Sequence, residues 1–449
     1  MSEGRGFAQR AQLTVVGAGL AGCEAAWQAA QRGVEVELFE MKPASFSAAH
    51  QIPEFAELVC SNSLRASSLA NAVGLLKEEM RQLGSLVLAA ADATAVPAGR
   101  ALAVDRVAFA KRITQALEGH PRIRVVRRQV SELPAGDAVI LATGPLTAAG
   151  LVEKLQALVG QNSLYFYDAI APILYGDSID ASVVFAASRY EEGEGDYLNV
   201  PLDREEYAAF VAALQSADTV PLHSCEAALY FEGCLPIEEM ARRGPLTLAY
   251  GPMKPVGLRD PRTGNRPFAV VQLRREDAEG VLYNMVGFQT KLRVNEQKRL
   301  FRSLPGLAKA VFARFGSVHR NTYLEAPRCL SETLEVRARP GLYVAGQLCG
   351  VEGYVESTAM GLLAGIHASF RLRGEAPPLP PPETAHGSLL RYLGTPRADR
   401  FQPMNVNYGL FPPLASEPRL PRRERNERLA ARALAALAPY AAQVRARAA

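Results

Sequence analysis

Gly17-Ala18-Gly19-Leu20-Ala21-Gly22 stands between a short apolar run, residues 12–16, and an amphipathic run, residues 21–32. The first run reads as a buried strand and the second has helical periodicity. Residues 34–39 alternate and are rich in branched and aromatic side chains, which predicts a second strand. Strand, glycine turn, helix and strand in that order make a parallel βαβ unit. Within the GxGxxG turn, Gly17 permits the tight bend, Gly19 lets a pyrophosphate approach the backbone, and Gly22 lets the helix pack closely on the strand. The free N–H groups and dipole of the helix N-terminus then favour the phosphate charge. Glu40 closes the second strand, 40 − 22 = 18 residues after the last glycine. A carboxylate there meets ribose hydroxyls and disfavours a 2′-phosphate.

Two more glycine turns follow predicted strands further along the chain. Ala142-Thr143-Gly144 ends the strand expected at 137–141. Gly346-Gln347 ends the one expected at 341–345 and precedes Gly350, Gly353 and a helix starting near Ser357. Three unrelated tight turns would not each follow a strand. Their convergence on one ligand favours FAD over a nicotinamide dinucleotide, with Gly17 to Gly22, Glu40, Ala142, Thr143, Gly144, Gly346, Gln347 and Gly353 as its binding positions. Another strand is expected at 123–130.

Between about 164 and 316 the pattern changes to short strands, expected at 182–186, 246–250, 268–273 and 282–286, with turn signals between them. The fold class is therefore α/β, a discontinuous Rossmann-like FAD-binding domain with an inserted mixed α+β domain. The expected division is 1–165 for the first part of the FAD-binding domain, 166–320 for the insertion, and 321–449 for the second part. That last part carries a proline-rich surface linker at 377–382 and a basic C-terminal helix, with eight arginines between 419 and 447. Packing of its apolar face on the parent domain is the commoner fate of such a helix; contact with RNA is the alternative.

Composition narrows the function classes. The chain has 449 residues, 48% hydrophobic and 21% charged, with a net charge of +4. That suits a soluble protein with a large core and neither demands nor excludes a nucleic-acid partner. No apolar stretch is long enough to span a membrane and the N-terminus has no secretory h-region, so a cytoplasmic protein without membrane contact is expected. The six cysteines form no CxxC pair, and the six histidines have no ligand spacing. Neither a disulfide framework nor a metal site is indicated. Cys23, inside the first helix, reads as a packing residue. Arg127-Arg128, Arg242-Arg243, Arg274-Arg275 and Lys298-Arg299 are pairs suited to a nucleic-acid backbone, although paired cations are usually solvated surface.

Beyond the dinucleotide turn, four blocks carry a resemblance. They are Glu57-Leu-Val-Cys60-Ser-Asn62-Ser63-Leu-Arg65, Phe231-Glu-Gly-Cys234-Leu-Pro236-Ile-Glu238, Gly350-Val-Glu352-Gly353-Tyr354-Val-Glu356-Ser357 and Phe401-Gln-Pro-Met-Asn405. Over nearly the whole chain the sequence resembles the folate- and FAD-dependent tRNA (uracil-5-)-methyltransferases, relatives of the wobble-uridine modification flavoproteins. The latter carry a long helical C-terminal region for which this chain has no room.

The resemblance implies transfer of the methylene carbon of 5,10-methylenetetrahydrofolate, by way of reduced FAD, to C5 of a uridine in the tRNA T-loop, with NAD(P)H as reductant. Chemistry agrees with that implication. C5 of uracil is a poor nucleophile, and addition of a thiolate to C6 turns it into an enolate carbon. Cys234 is accordingly the expected C6 nucleophile and Cys60 the second thiol, a candidate base or flavin partner, with the two roles exchangeable. Tyr354 is a candidate for stacking on a pterin, the default being a core tyrosine. Arg65 is a candidate for an anion such as the folate glutamate, an ordinary ion pair being equally compatible. The rival readings are an FAD oxidoreductase of a small metabolite, and a wobble-uridine flavoprotein that needs a partner. Oligomeric state is not legible.

Overall fold

A computed structural model describes residues 11–160, 164–190, 195–221, 235–396, 401–414 and 420–445, without the side chains of 164–168 and 320. Five parallel strands form the first sheet, in the order Leu342–Val344, Val139–Leu141, Leu13–Val16, Val36–Glu40, Ile123–Arg127. The three central strands are almost wholly buried, as parallel strands covered on both faces must be. Helix Leu20–Ala30 follows the first glycine turn and crosses helix Tyr354–Leu372, which is buried along nearly its whole length. The crossing is close because Gly361 and Gly365 face the backbone of Ala21 and Ala25, leaving no room for a Cβ.

The second sheet has six antiparallel strands, in the order Phe185–Ala186, Tyr197–Leu202, Ala269–Arg275, Leu282–Met285, Ile173–Tyr175, Phe312–Arg314. Helix Arg204–Ser216 starts at a capping box between Asp203 and Glu206 and lays Phe210 and Leu214 onto a separate apolar core containing Phe288 and Phe301. The chain enters and leaves this region along one antiparallel ribbon, Leu164–Ile170 against Ser317–Tyr323.

Several local expectations are corrected. Residues 246–250 form a short helix, Thr247–Tyr250, rather than a strand. Only Leu248 of that helix is buried while Tyr250 is 81% exposed, so burial comes once per turn instead of alternating. Of the strand expected at 182–186 only Phe185–Ala186 pairs, because Asp180 holds Ser182 in a turn. The late helix begins at Tyr354, not near Ser357. The proline-rich stretch is not a free linker: Pro380 is buried, and the stretch feeds helix Ala385–Gly394. Helix Arg422–Arg445 buries Leu429, Ala433 and Leu437 against the domain, while Arg423 and Arg428 pair with Glu427 and Glu424 on its outer face. Cys23 is a packing residue as expected, its thiol donating to the Ala18 carbonyl.

His367, fully buried in the long helix, lies 3.0 Å by Nδ1 from the Thr333 carbonyl, and its Nε2 has no partner among the described residues. Burial pulls its pKa down to about 4. The unfolded chain takes up this proton near pH 6.5, ahead of the folded one, so stability is full above that pH and falls as pH drops toward 4. Wild type is therefore expected to lose roughly 3 kcal/mol more than His367→Leu across that window. Denaturant midpoints measured at several pH values check this, and parallel profiles would refute it.

Candidate active site

A cavity of about 460 Å³ opens beyond the carboxyl ends of the parallel strands, where α/β sheets bind ligands, and runs against the antiparallel region. The three glycine turns meet in its wall. Gly17 holds φ +96° and packs on the backbone of Ala142 and Thr143; a Cβ on Gly22 would run into the Gly17 carbonyl. Gly19 is different: no atom lies within 4 Å of where its Cβ would be, so its backbone faces open space at the N-terminus of helix Leu20–Ala30. Ala18, Leu20, Ala21, Ala142, Thr143, Gly144, Gly346, Gln347 and Gly353 also line the cavity. Gly22 lies behind it as a packing position.

Glu40 reaches the cavity with its carboxylate already oriented. Oε2 accepts from the Ala18 N–H at 2.8 Å and Oε1 from the Lys42 N–H at 3.0 Å. Each oxygen keeps a second lone pair for a hydroxyl. A buried pair, Lys42 with Glu57 at 3.5 Å, fixes the loop between them, Glu57 also accepting from the amides of Gln51 and Ile52. His50 of that loop is pulled down to about pKa 4 by burial, then by Lys42.

Cys60 lines the cavity with its sulfur 2.8 Å from the Tyr354 hydroxyl. The same hydroxyl oxygen accepts from the Cys60 N–H at 2.7 Å. The Tyr354 side chain therefore grips Cys60 through its hydroxyl while lining the cavity, an arrangement beyond the expected ring stacking. Arg65 binds the buried Glu356, which also accepts from the Val406 amide. It is thus first of all an ion pair, 37% exposed at the cavity edge. Gln347 donates to Glu352 at 2.7 Å, and Asn405 donates to the Glu352 carbonyl at 2.6 Å, tying the third and fourth sequence blocks together.

Cys234 lies outside the described residues. The chain resumes at Leu235 and Pro236, both buried, and the Ile237 amide donates to the carbonyl of Gln289, a cavity residue. Arg274 is not on a nucleic-acid surface: it is 6% exposed and bonds to Asn62 and Ser61. Sequence reasoning missed this role, the bonds of Arg106 and Arg314 to the Leu58 and Val59 carbonyls, and the cavity-lining positions of His319 and Asn321. A signal existed for one of them. In strand Ala269–Arg275, Val271 and Leu273 enter the apolar core while Gln272, Arg274 and the following Glu276 are buried polar residues two apart. A buried strand with one polar face marks a site. Among the described residues no cluster of His, Cys, Asp or Glu suits a metal ion, and no helix is long and apolar enough to cross a membrane.

A family profile described as "Glucose inhibited division protein A" matches residues 12–376. A Geobacter sulfurreducens protein, methylenetetrahydrofolate--tRNA-(uracil-5-)-methyltransferase TrmFO, is 57% identical over 433 residues, 96% of this chain and 99% of its own. The chain belongs to the TrmFO family. Further TrmFO proteins agree: that of Geotalea uraniireducens is 58% identical over 95% of this chain and 98% of its own, and that of Moorella thermoacetica 57% over 94% and 97%. Among solved structures, Aquifex aeolicus GidA superposes with a TM-score of 0.71 over 97% of this chain and 76% of that one. Sequence identity is 16% there, so the likeness to this TrmFO chain is one of fold. It is the fold expected from the glycine turns.

Proposed function

We propose that this chain is a tRNA (uracil-5-)-methyltransferase that takes its carbon from 5,10-methylenetetrahydrofolate and uses FAD, with NAD(P)H as reductant, to form 5-methyluridine in the T-loop. A single observation supports it best: the three glycine turns enclose one cavity in which Cys60 is gripped by Tyr354. The rival small-metabolite oxidoreductase gives no reason for a gripped thiol, and the near full-length likeness to TrmFO proteins favours the methyltransferase over the partner-dependent wobble-uridine reading.

The cavity fits FAD on its own geometry. Gly19 leaves backbone open for a pyrophosphate at a helix N-terminus, and Glu40 presents oriented lone pairs for a ribose. When bound, FAD supplies carriage of the folate methylene carbon and its reduction to a methyl group. The chain's residues do the rest. The Cys234 thiolate would add to uracil C6, and C5 would attack the folate-derived carbon; once that C–C bond has formed, the C5 proton passes to a base, in the role proposed for Cys60, and hydride reduction of the new carbon with expulsion of the Cys234 thiolate restores the ring. Tyr354 holds Cys60 in place, and Arg65 with Glu356 fixes the edge through which folate enters. The target uridine must leave the folded T-loop to reach the thiols. We further assign the protein to the cytoplasm.

The test is transfer of label from carbon-labelled methylenetetrahydrofolate to an unmodified tRNA transcript with NAD(P)H present. Label at C5 of the T-loop uridine is expected. None, from flavin-loaded and reducible protein, would overturn the reading. Cys234→Ala is expected to retain FAD and lose methyl transfer by at least about a thousandfold, as removal of a covalent nucleophile does. Full methylation by that variant would refute the nucleophile's assignment.

A further inference from the structure

Three guanidinium groups from separate parts of the chain close on the segment around Cys60, two on its backbone and one on its side chains. Arg106, at the start of helix Arg106–Glu118, donates to the Leu58 carbonyl. Arg314, on strand Phe312–Arg314, donates to the Val59 carbonyl at 2.7 Å and to the Ala49 carbonyl at 3.2 Å. Arg274 donates to the Ser61 hydroxyl at 2.6 Å and to Asn62 Oδ1 at 2.9 Å. Residues 58, 59, 61 and 62 are thus each held by an arginine, with the thiol of residue 60 between them.

The charge balance is uneven. Arg106 is neutralised by Glu276, 3.0 Å from its Nε. Arg274 and Arg314 are bonded only to neutral oxygens, and among the described residues neither has a carboxylate at ion-pair distance. Arg274 is 6% exposed, and burial pulls both guanidinium groups below their ordinary pKa. Glu276 near Arg274 and Glu57 near Arg314 favour the charged forms, yet burial outweighs them, and a further negative group beside the two cations offsets that cost.

The hydrogen bonds at the sulfur point the same way. The Tyr354 hydroxyl oxygen accepts the Cys60 N–H at 2.7 Å and lies 3.4 Å from the Ser61 N–H. Its own proton is left for the sulfur, 2.8 Å away, and burial keeps that proton bound by raising the hydroxyl well above the ordinary tyrosine value. The sulfur is then an acceptor, a role a thiolate fills more strongly than a thiol.

The other charged groups nearby do not upset this arrangement. Glu57 is paired with Lys42, and Glu356 with Arg65. His50 and His319 are both lowered by burial and stay neutral at pH 7. Among the described residues, Glu276, the acid of the Arg106 pair, opposes a thiolate here.

We propose that Arg274 and Arg314 are positioning residues that hold Cys60 as its thiolate at neutral pH, with Tyr354 as hydrogen-bond donor. Two of these groups belong to the antiparallel region, so docking of that region onto the Cys60 loop is what arms the thiol. The inference deepens the methyltransferase reading and rests on it for its purpose. Its test, however, needs neither tRNA nor folate, so the two can fail separately.

The experiment is the pH dependence of iodoacetamide alkylation of Cys60 in the purified flavin-containing protein, read by mass spectrometry on its peptide. Wild type is expected to alkylate at half-maximal rate well below pH 8.5, the value of a free cysteine. Arg274→Gln and Arg314→Gln are each expected to move that midpoint up by about one unit, making alkylation at pH 7 about two- to fivefold slower. Arg274→Lys and Arg314→Lys, which keep the charge and lose the fork of bonds, are expected to stay near wild type. A purely structural clamp predicts the reverse, with lysine variants as impaired as glutamine ones, and that result would overturn the proposal. So would a wild-type midpoint at or above 8.5, which requires no variant to fold.

Discussion

Gly22→Val is expected to purify without FAD and with a markedly lowered melting temperature. The added branched side chain meets the Gly17 carbonyl and the Ala142 side chain, so the helix Leu20–Ala30 has to move away from the strand that precedes it. Its N-terminus is the part aimed at the pyrophosphate, and the same helix carries the close contact with Gly361 and Gly365. Displacement therefore damages cofactor site and core together, and overpacking alone costs about 1–3 kcal/mol. Gly19→Ala is the control. Its Cβ meets open space inside the protein, so melting without cofactor stays near wild type while flavin content falls, because the methyl group occupies the approach of the phosphate. Flavin absorbance per protein and thermal melting of the apoproteins separate the two cases. A Gly22→Val protein that holds a full complement of FAD would refute the packing argument.

Glu79→Ala is expected to destabilise the chain by about 3–5 kcal/mol. Glu79 is fully buried in helix Ala72–Gln82 and accepts from the amides of Ala385 and His386, at 2.7 and 3.1 Å, and faces His386 Nδ1 at 2.7 Å. Deleting it leaves the N-terminus of helix Ala385–Gly394 and an imidazole buried without their acceptor. The damage carries to the cavity. Tyr392 of that helix donates to the Gln402 carbonyl at 2.6 Å, and the segment from Gln402 onward delivers Asn405 and Val406 to Glu352 and Glu356. Melting should fall by about 3–5 °C, and flavin or folate affinity should weaken with it. A shift of under 2 °C would show that the carboxylate is dispensable.

The parts of this molecule that were legible in its sequence are those where the backbone itself is constrained. Gly17, Gly144 and Gly346 all adopt positive φ, and only glycine does so freely, so their positions after strands announced the cofactor turns. The parallel order around Leu13–Val16 followed from the same signal. Side-chain meetings across long separations were not legible. Nothing local ties Arg274 or Arg314 to residues 59–62, since the folded sheet brings them together. Thr247–Tyr250 was misread because four mostly apolar residues fit either period, and the bond from the Tyr354 hydroxyl to Cys60 was not legible because it joins residues 294 positions apart.

The parallel pairing of Val139–Leu141 with Leu342–Val344 has a consequence for how the protein is made. A ribosome has to build the whole antiparallel region before the strand at 342 exists, and longer still before Asn405 emerges. The antiparallel region has its own apolar core, but its strand Ile173–Tyr175 pairs with Leu282–Met285 and Phe312–Arg314, so it can close only after residue 314 has been made. The cofactor cradle closes later still, because one of its walls is translated last. A chain truncated before residue 342 is thus left with an unfinished sheet and no complete place for FAD, and bound flavin would mark a chain whose synthesis had passed Asn405.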